Sequence, residues 1–345
     1  MSSCQGYLTE RFYLLPTLLA QIAPQRSTQY ATLARDLATP ELQLSPVGPQ
    51  ITSVELTTLG GQAYLRCTLP QEPTPQQLRE LGMLAMTSAF FAYYDQIGDV
   101  EGPWLRPLET GFQPALPPDL VTTRRYRGKT NELFTHFLCN LARFSSDFAD
   151  QPWSDLSLFD PLMGGGTTLF TGLMLGAAQV AGIEQDTEDV KSTAAFLSQY
   201  LQQERISHKM QPERLKQLGL RWTFALGKKE SRHCLIVNGE TLQAPALLPG
   251  FKPHLLVADL PYGIQHQGQL ISLLTSALPV WLAMVRRGGA IVLAWDATRF
   301  PRATMVETVS AFSELTLYNT PPYDQLAHQV DRVIKARDVI VARKL

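Results

Sequence analysis

Apolar positions follow one pattern over the last two thirds of the chain. From about residue 121 they gather into short runs bounded by turn residues: LSLFD, QVAGIE, HCLIV, LLVAD, AIVLAW, LTLYN and DVIVAR. Near-continuous apolar runs of this length describe strands buried on both faces. Helical segments separate most of them, which predicts an α/β sheet covered by helices on both sides. No helix of ordinary length separates the last two runs, so an antiparallel edge hairpin is expected there.

The first part of the chain does not repeat that pattern. ITSVELTTLGGQAYLRCTLP alternates around Gly60-Gly61 and predicts a β-hairpin. TPQQLRELGMLAMTSAFFAYYD opens on a Thr-Pro start signal and carries helical periodicity. YLLPTLLAQIA follows Glu10 and Arg11 and is interrupted by Pro16, so an ordinary helix is expected rather than a signal peptide. GPWLRPLETGFQPALPPDL, with Pro103, Pro107, Pro114, Pro117 and Pro118, reads as an interdomain linker. The expectation is a smaller α+β domain over 1–120 and an α/β domain over 121–345.

Composition adds bounds. The 345 residues carry a net charge of -1, so an anionic partner would meet a local patch rather than the whole molecule. Two such patches stand out. Residues 204–232 hold Arg205, Lys209, Arg214, Lys216, Arg221, Lys228, Lys229 and Arg232 against Glu204, Glu213 and Glu230. TTRRYRGK holds Arg124, Arg125, Arg127 and Lys129 around Tyr126. The cysteines Cys4, Cys67, Cys139 and Cys234 have neither metal-ligand nor CxxC spacing, which predicts reduced, mostly buried thiols, no metal site and a cytoplasmic setting. No apolar window is long enough for a transmembrane span.

Candidate chemistry sits at the ends of the apolar runs. The first run ends in FDPLMGGGTT, a strand, a glycine turn and a helix start: Asp160, Pro161, Met163, Gly164, Gly165, Gly166, Thr167 and Thr168. Such turns let backbone approach a ligand where open α/β sheets bind cofactors. A dinucleotide GxGxxG fails, because the position of its last glycine is Leu169. A Walker A loop at LGKKES fails as well, since Trp222 stands at its leading glycine. The second run ends on Glu184 and Gln185, and an acid there suits the hydroxyls of a ribose. The third leads into Asn238, Gly239 and Glu240, which can meet an adenine. The fourth ends abruptly in Asp259, Leu260, Pro261 and Tyr262.

This set resembles motifs I, II and IV of the S-adenosylmethionine-dependent amino-methyltransferases, whose forms are DPxxGxGT, an acid after the second strand, and D-P-P-Y. The segment 126–142, YRGKTNELFTHFLCNLA, is similar to the cofactor-binding helix that precedes motif I. The branch resembled most is the one that methylates the exocyclic N2 of guanosine in tRNA; it includes DLPF and DLPY forms followed by glycine. The closing HQVDRVIKARDVIVARKL resembles that branch's terminal hairpin. The resemblance covers about 121–345, and the THUMP domain that branch often carries is not recognisable upstream. It implies a seven-stranded Rossmann-like methyltransferase sheet with an antiparallel last strand. It implies S-adenosylmethionine as cofactor, held by the residues named above together with Lys129, Thr130 and Asp259, and an RNA partner.

The chemistry of Asp-Leu-Pro-Tyr fits that implication. An exocyclic amino group is a poor nucleophile because its lone pair is delocalised into the ring. Two acceptors on its hydrogens hold the nitrogen towards sp3 geometry. Asp259 supplies one, and the C=O of Leu260, in a turn fixed by Pro261, supplies the other. Tyr262 can wall in the base. Leu260 replaces the first proline of D-P-P-Y, but a carbonyl remains. TPPYD, residues 320–324, begins with Thr, belongs to the last strand pair and is read as a decoy. Competing readings are adenine-N6 methylation of DNA or RNA, methylation of a protein amide, a small-molecule amine substrate, and a partner subunit without catalysis. Intact Asp259 and Tyr262 argue against the last.

Overall fold

The computed structural model describes residues 16–25, 28–126, 128–229, 231–261, 267–330 and 336–345. Its first part is an antiparallel sheet of five strands: β1 (Thr17–Ile22), β2 (Ser53–Leu59), β3 (Gln62–Thr68), β4 (Thr87–Ile97) and β5 (Val100–Leu108), in the order β2-β3-β1-β4-β5. The hairpin at Gly60-Gly61 forms as expected between β2 and β3. Helix α1 (Leu33–Leu44) covers one face through Leu33, Leu37 and Leu42. Helix α2 (Pro75–Gly82) starts on a capping box between Thr74 and Gln77.

Three expectations are corrected here. Residues 17–22 are a strand, not a helix: β1 lies between β3 and β4, with Leu18 and Ala20 buried on one face and Leu19 on the other. A strand buried on both faces has no alternation to distinguish it from a helix. The helix that begins at Thr74 stops at Gly82, and TSAFFAYY continues as β4, where aromatic side chains suit a pleated surface. The Pro-rich stretch is only partly a linker, because its residues up to Leu108 form β5. An edge strand tolerates Pro103 and Pro107.

The rest of the chain runs α3 (Asp119–Thr122), α4 (Glu132–Phe144), β6 (Ser157–Asp160), α5 (Thr167–Leu175), β7 (Gln179–Glu184), α6 (Thr187–Gln203), β8 (His208–Leu215), β9 (Gly219–Leu226), β10 (Arg232–Asn238), α7 (Ala244–Leu247), β11 (Leu255–Asp259), α8 (Gln267–Met284), β12 (Ala290–Asp296), α9 (Arg302–Ser310), β13 (Leu315–Tyr318), β14 (His328–Gln329) and β15 (Ala336–Lys344). All seven apolar runs are strands of one sheet, ordered β13-β15-β12-β11-β6-β7-β10-β9-β8 with β14 beside β15. The strands β12, β11, β6, β7 and β10 are parallel, and β15 runs antiparallel between β12 and β13. The α/β fold with an antiparallel final strand is therefore as expected.

The addition is the hairpin β8–β9, which extends the sheet antiparallel to β10. Its register divides the basic stretch. The β8–β9 turn, with Lys216, lies beside Asn238 at the carboxyl ends of the parallel strands. Lys228, Lys229 and Arg232 lie at the opposite end, where β10 begins.

The core is continuous between the two sheets: Leu18 and Leu37 belong to the same buried cluster as Phe137 and Leu158. Cys67, Cys139 and Cys234 are free and buried. Among the described residues, no helix is long and apolar enough to cross a membrane.

Candidate functional site

The order of the parallel strands reverses at β6, with β7 and β10 on one side and β11 and β12 on the other. A crevice at the carboxyl ends of the strands is expected at such a point. A cleft of about 540 Å³ opens there, within the range of about 300–1,000 Å³ usual for small-molecule sites. Of the residues named from sequence, Thr130, Asp160, Pro161, Met163, Gly164, Gly165, Thr167, Thr168, Glu184, Gln185, Gly239, Glu240, Asp259 and Pro261 line it.

The glycine turn is shaped by its neighbours. Gly164 has φ +48 and nothing within 4 Å of its missing Cβ, so the space it leaves is open. Its N–H donates to Glu184 Oε2 at 3.2 Å, and the other carboxylate oxygen accepts from the Asp186 N–H at 2.9 Å. Glu184 is thereby held at the tip of β7. Gly165 is required for a different reason: a Cβ there would lie 2.2 Å from the ring of Tyr126. Tyr126 lies across the turn, with its hydroxyl 2.6 Å from Thr167 Oγ1.

Four named residues do not line the cleft. Lys129 turns away, donating to the carbonyls of Val121 and Arg124 at 2.8 Å and pairing with Glu132. Gly166 caps α5 with φ 82. Asn238 donates to the carbonyls of Glu184 and Gln185 and accepts from Thr187, which fixes the loop after β7. Leu260 is buried, and its N–H donates to the Ala294 carbonyl at 2.8 Å. Tyr262 lies outside the described residues.

Arg124 is likewise no free phosphate contact. It donates to the Gly165 carbonyl, to Thr193 and to Ser192, and stacks over Tyr126 at 4.9 Å. Arg127 lies outside the described residues, and Arg125 is exposed. The decoy TPPYD is also away from the cleft: Tyr323 stacks on Tyr318 at 4.8 Å and meets Ser145.

Residues not foreseen complete the lining. Thr241 and Leu242 follow Glu240, and Leu273 projects from α8. The larger omission is Arg337 on β15, which pairs with Asp259.

Among the described residues, every charged side chain that lines the cleft is acidic, although Asp259 is paired with Arg337 behind it. Among the described residues its lining carries Asp160, Glu184, Glu240 and Asp259, and neither Lys nor Arg. Burial pushes the Asp160 carboxyl up to about 7, and the nearby Asp259 and Glu184 add to the rise. Thr168 and the Leu162 N–H, the latter at 3.0 Å, oppose it. A carboxyl raised in the folded state binds its proton more tightly there than in the unfolded chain. Its stabilisation is therefore full below about pH 4 and lost as pH rises through about 7. Asp160→Asn keeps the acceptor for Leu162 and removes the charge. It should raise stability at pH 8 by about 1–4 kcal/mol, and the gain should shrink towards pH 5 and vanish only below about pH 4. Thermal melts at the two pH values check this; an equal gain at both would refute the assignment.

No family profile matches the chain, and no curated protein matches it. Solved structures do resemble it. TrmN from Thermus thermophilus is 14% identical, with 96% of this chain and 100% of that one covered at a TM-score of 0.47. A methyltransferase homolog protein from Pyrococcus horikoshii is 11% identical, with 96% and 87% covered at a TM-score of 0.40. An rRNA methylase from Streptococcus thermophilus is 12% identical, with 64% and 99% covered at a TM-score of 0.36. Likenesses this distant carry no argument about activity, which rests on the chemistry of the cleft.

Proposed function

We propose that this chain transfers a methyl group from S-adenosylmethionine to an exocyclic amino nitrogen of a nucleobase in structured RNA, with guanosine N2 in tRNA as the first target. The observation that carries the reading is the charge of the cleft. A glycine turn ringed by carboxylates, with no lining Lys or Arg among the described residues, suits a cofactor bearing a sulfonium and an ammonium. It opposes the pyrophosphate of a dinucleotide. Bound there, S-adenosylmethionine supplies an electrophilic methyl group.

The chain's own residues divide the remaining work. Glu184, held by the Gly164 N–H, offers an acceptor for ribose hydroxyls, and Leu242 and Ile183 offer apolar surface for a base. Asp259 accepts one hydrogen of the target amino group, and the Leu260 carbonyl accepts the other. Tyr262 walls in the base. The N–C bond forms as the C–S bond breaks, the electron pair stays on sulfur, and the methylated nitrogen loses a proton to water. Residues 1–120 serve substrate recognition. Arg214 and Lys216, near the cofactor end of the sheet, offer phosphate contacts.

Calorimetry should show that S-adenosylmethionine binds and NADH does not. Gly164→Val should abolish binding, because the side chain would fill the open space and sit at φ +48. Tritiated-methyl transfer to total tRNA, total rRNA and DNA, followed by nucleoside mass spectrometry, should yield N2-methylguanosine in tRNA. The Michaelis constant for RNA should rise steeply with salt. A wild type without affinity for S-adenosylmethionine refutes the reading; methylation of a small amine with tRNA untouched transfers it to a metabolite enzyme.

A further inference from the structure

The carboxylate of Asp259 is gripped from two sides by residues far from it in sequence. Thr130 donates its hydroxyl to Oδ2, and the Arg337 guanidinium pairs with Oδ1. Arg337 is 0% exposed. Its guanidinium lies 4.3 Å over the ring of Phe134 from α4, and His328 packs on the same ring at 4.6 Å. Burial, with the charge of Arg337 adding to it, lowers His328 to about 3, so its imidazole is neutral at physiological pH. A third group comes from the N-terminal part of the chain: the Tyr30 hydroxyl lies within electrostatic reach of both Arg337 and Asp259.

A buried guanidinium is costly unless it is paired, so its place beside the cleft calls for an explanation beyond stability. We propose that Arg337 is a positioning residue for methyl transfer, fixing the Asp259 carboxylate together with Thr130, with Tyr30 from the turn before α1 as a further polar neighbour of the pair. The inference rests on the role assigned to Asp259 in the proposed reaction.

A carboxylate has about four lone-pair sites. With a donor on each oxygen, rotation of the group is arrested, and the carboxylate is set for the amino group without reorganisation at the moment of reaction. The arrangement also explains Asp rather than Asn at 259. An amide would leave the guanidinium without its anion and would present N–H to one of two donors.

Full-length wild type, Arg337→Ala, Arg337→Lys and Tyr30→Phe are compared on whichever of total tRNA, total rRNA and DNA the wild type methylates best, and by calorimetry with S-adenosylmethionine. Arg337→Ala should lose about 100- to 1,000-fold in kcat with cofactor Kd within about threefold, as for other lost preorganised partners. Guanidinium at about 20 mM should restore at least about tenfold of that loss, which a purely structural role would not allow. Arg337→Lys keeps the charge but lacks the planar fork, and should lose about tenfold or more in kcat. Tyr30→Phe should lose about two- to tenfold in kcat, with Kd unchanged. If Arg337→Ala does not fold, Arg337→Lys decides. Unchanged kcat in Arg337→Lys, or a folded Arg337→Ala that guanidinium does not rescue, overturns the assignment while wild-type methylation leaves the reaction itself standing. A wild type that neither binds S-adenosylmethionine nor transfers methyl overturns both.

Discussion

Asp259→Ala should lower methyl transfer by about two to three orders of magnitude while leaving affinity for S-adenosylmethionine within about threefold, the loss usual for one preorganised hydrogen-bond partner. The residue stands at the end of β11, across the cleft from the glycine turn, and its side chain is 16% exposed. It can therefore meet a substrate directly. The same substitution should also lower stability. It strips the anion from the buried Arg337, and breaking a buried pair by removing one partner costs about 3–5 kcal/mol. Turnover must accordingly be measured well below the melting temperature, with circular dichroism confirming the fold. A folded Asp259→Ala protein with near-normal turnover would place the reaction elsewhere.

The sheet was legible because its apolar runs are short, bounded by turn residues and mostly separated by helical segments. The cleft was legible for a related reason: its residues follow directly on strand ends, so Asp160, Glu184 and Asp259 converge once the strands are parallel. Other features depend on partners that sequence order does not reveal. Arg337 reads as a surface cation in IKARDVIVAR, and only the pairing of Asp296 with Arg337 across β12 and β15 brings it to the end of β11. Arg124 reads as a phosphate contact because it lies in a basic cluster, and Lys129 as a cofactor contact because 126–142 resembles a cofactor-binding helix. The structure gives them to backbone carbonyls at 124, 121 and 165, which need donors of their own. The β8–β9 hairpin was hidden because HKMQPERL is largely exposed and lacks a core face.

Residues 119–345 expressed without the preceding chain should fail to fold, although the Pro-rich stretch at 102–120 invites the opposite expectation. Helix α4 is the reason. Its Asn140 donates to Glu41 Oε1 at 2.9 Å and to the Met83 carbonyl at 2.8 Å. Its Arg143 forms a bidentate pair with Glu80 at 2.7 and 2.9 Å, buried on the arginine side. Truncation removes every one of these partners and uncovers the apolar surface that α1 covers on α4. The lost ion pair costs about 3–5 kcal/mol and the lost amide contacts about 1–3, against a total stability of about 5–15 kcal/mol for a typical protein. A gentler cut through the same joint is Glu41→Gln. Glu41 accepts from the N–H groups of Ala85 and Met86 at 2.9 and 2.8 Å as well as from Asn140. Burial pushes its carboxyl up to about 7, and those three donors pull it back. An amide in its place must turn N–H towards one of the donors, so Glu41→Gln should lower stability by about 1–3 kcal/mol with the cleft intact. Melting curves and calorimetry with S-adenosylmethionine on both proteins check the argument. A soluble 119–345 fragment that melts cooperatively and binds the cofactor as tightly as the full chain would show that the N-terminal sheet is a separable module after all.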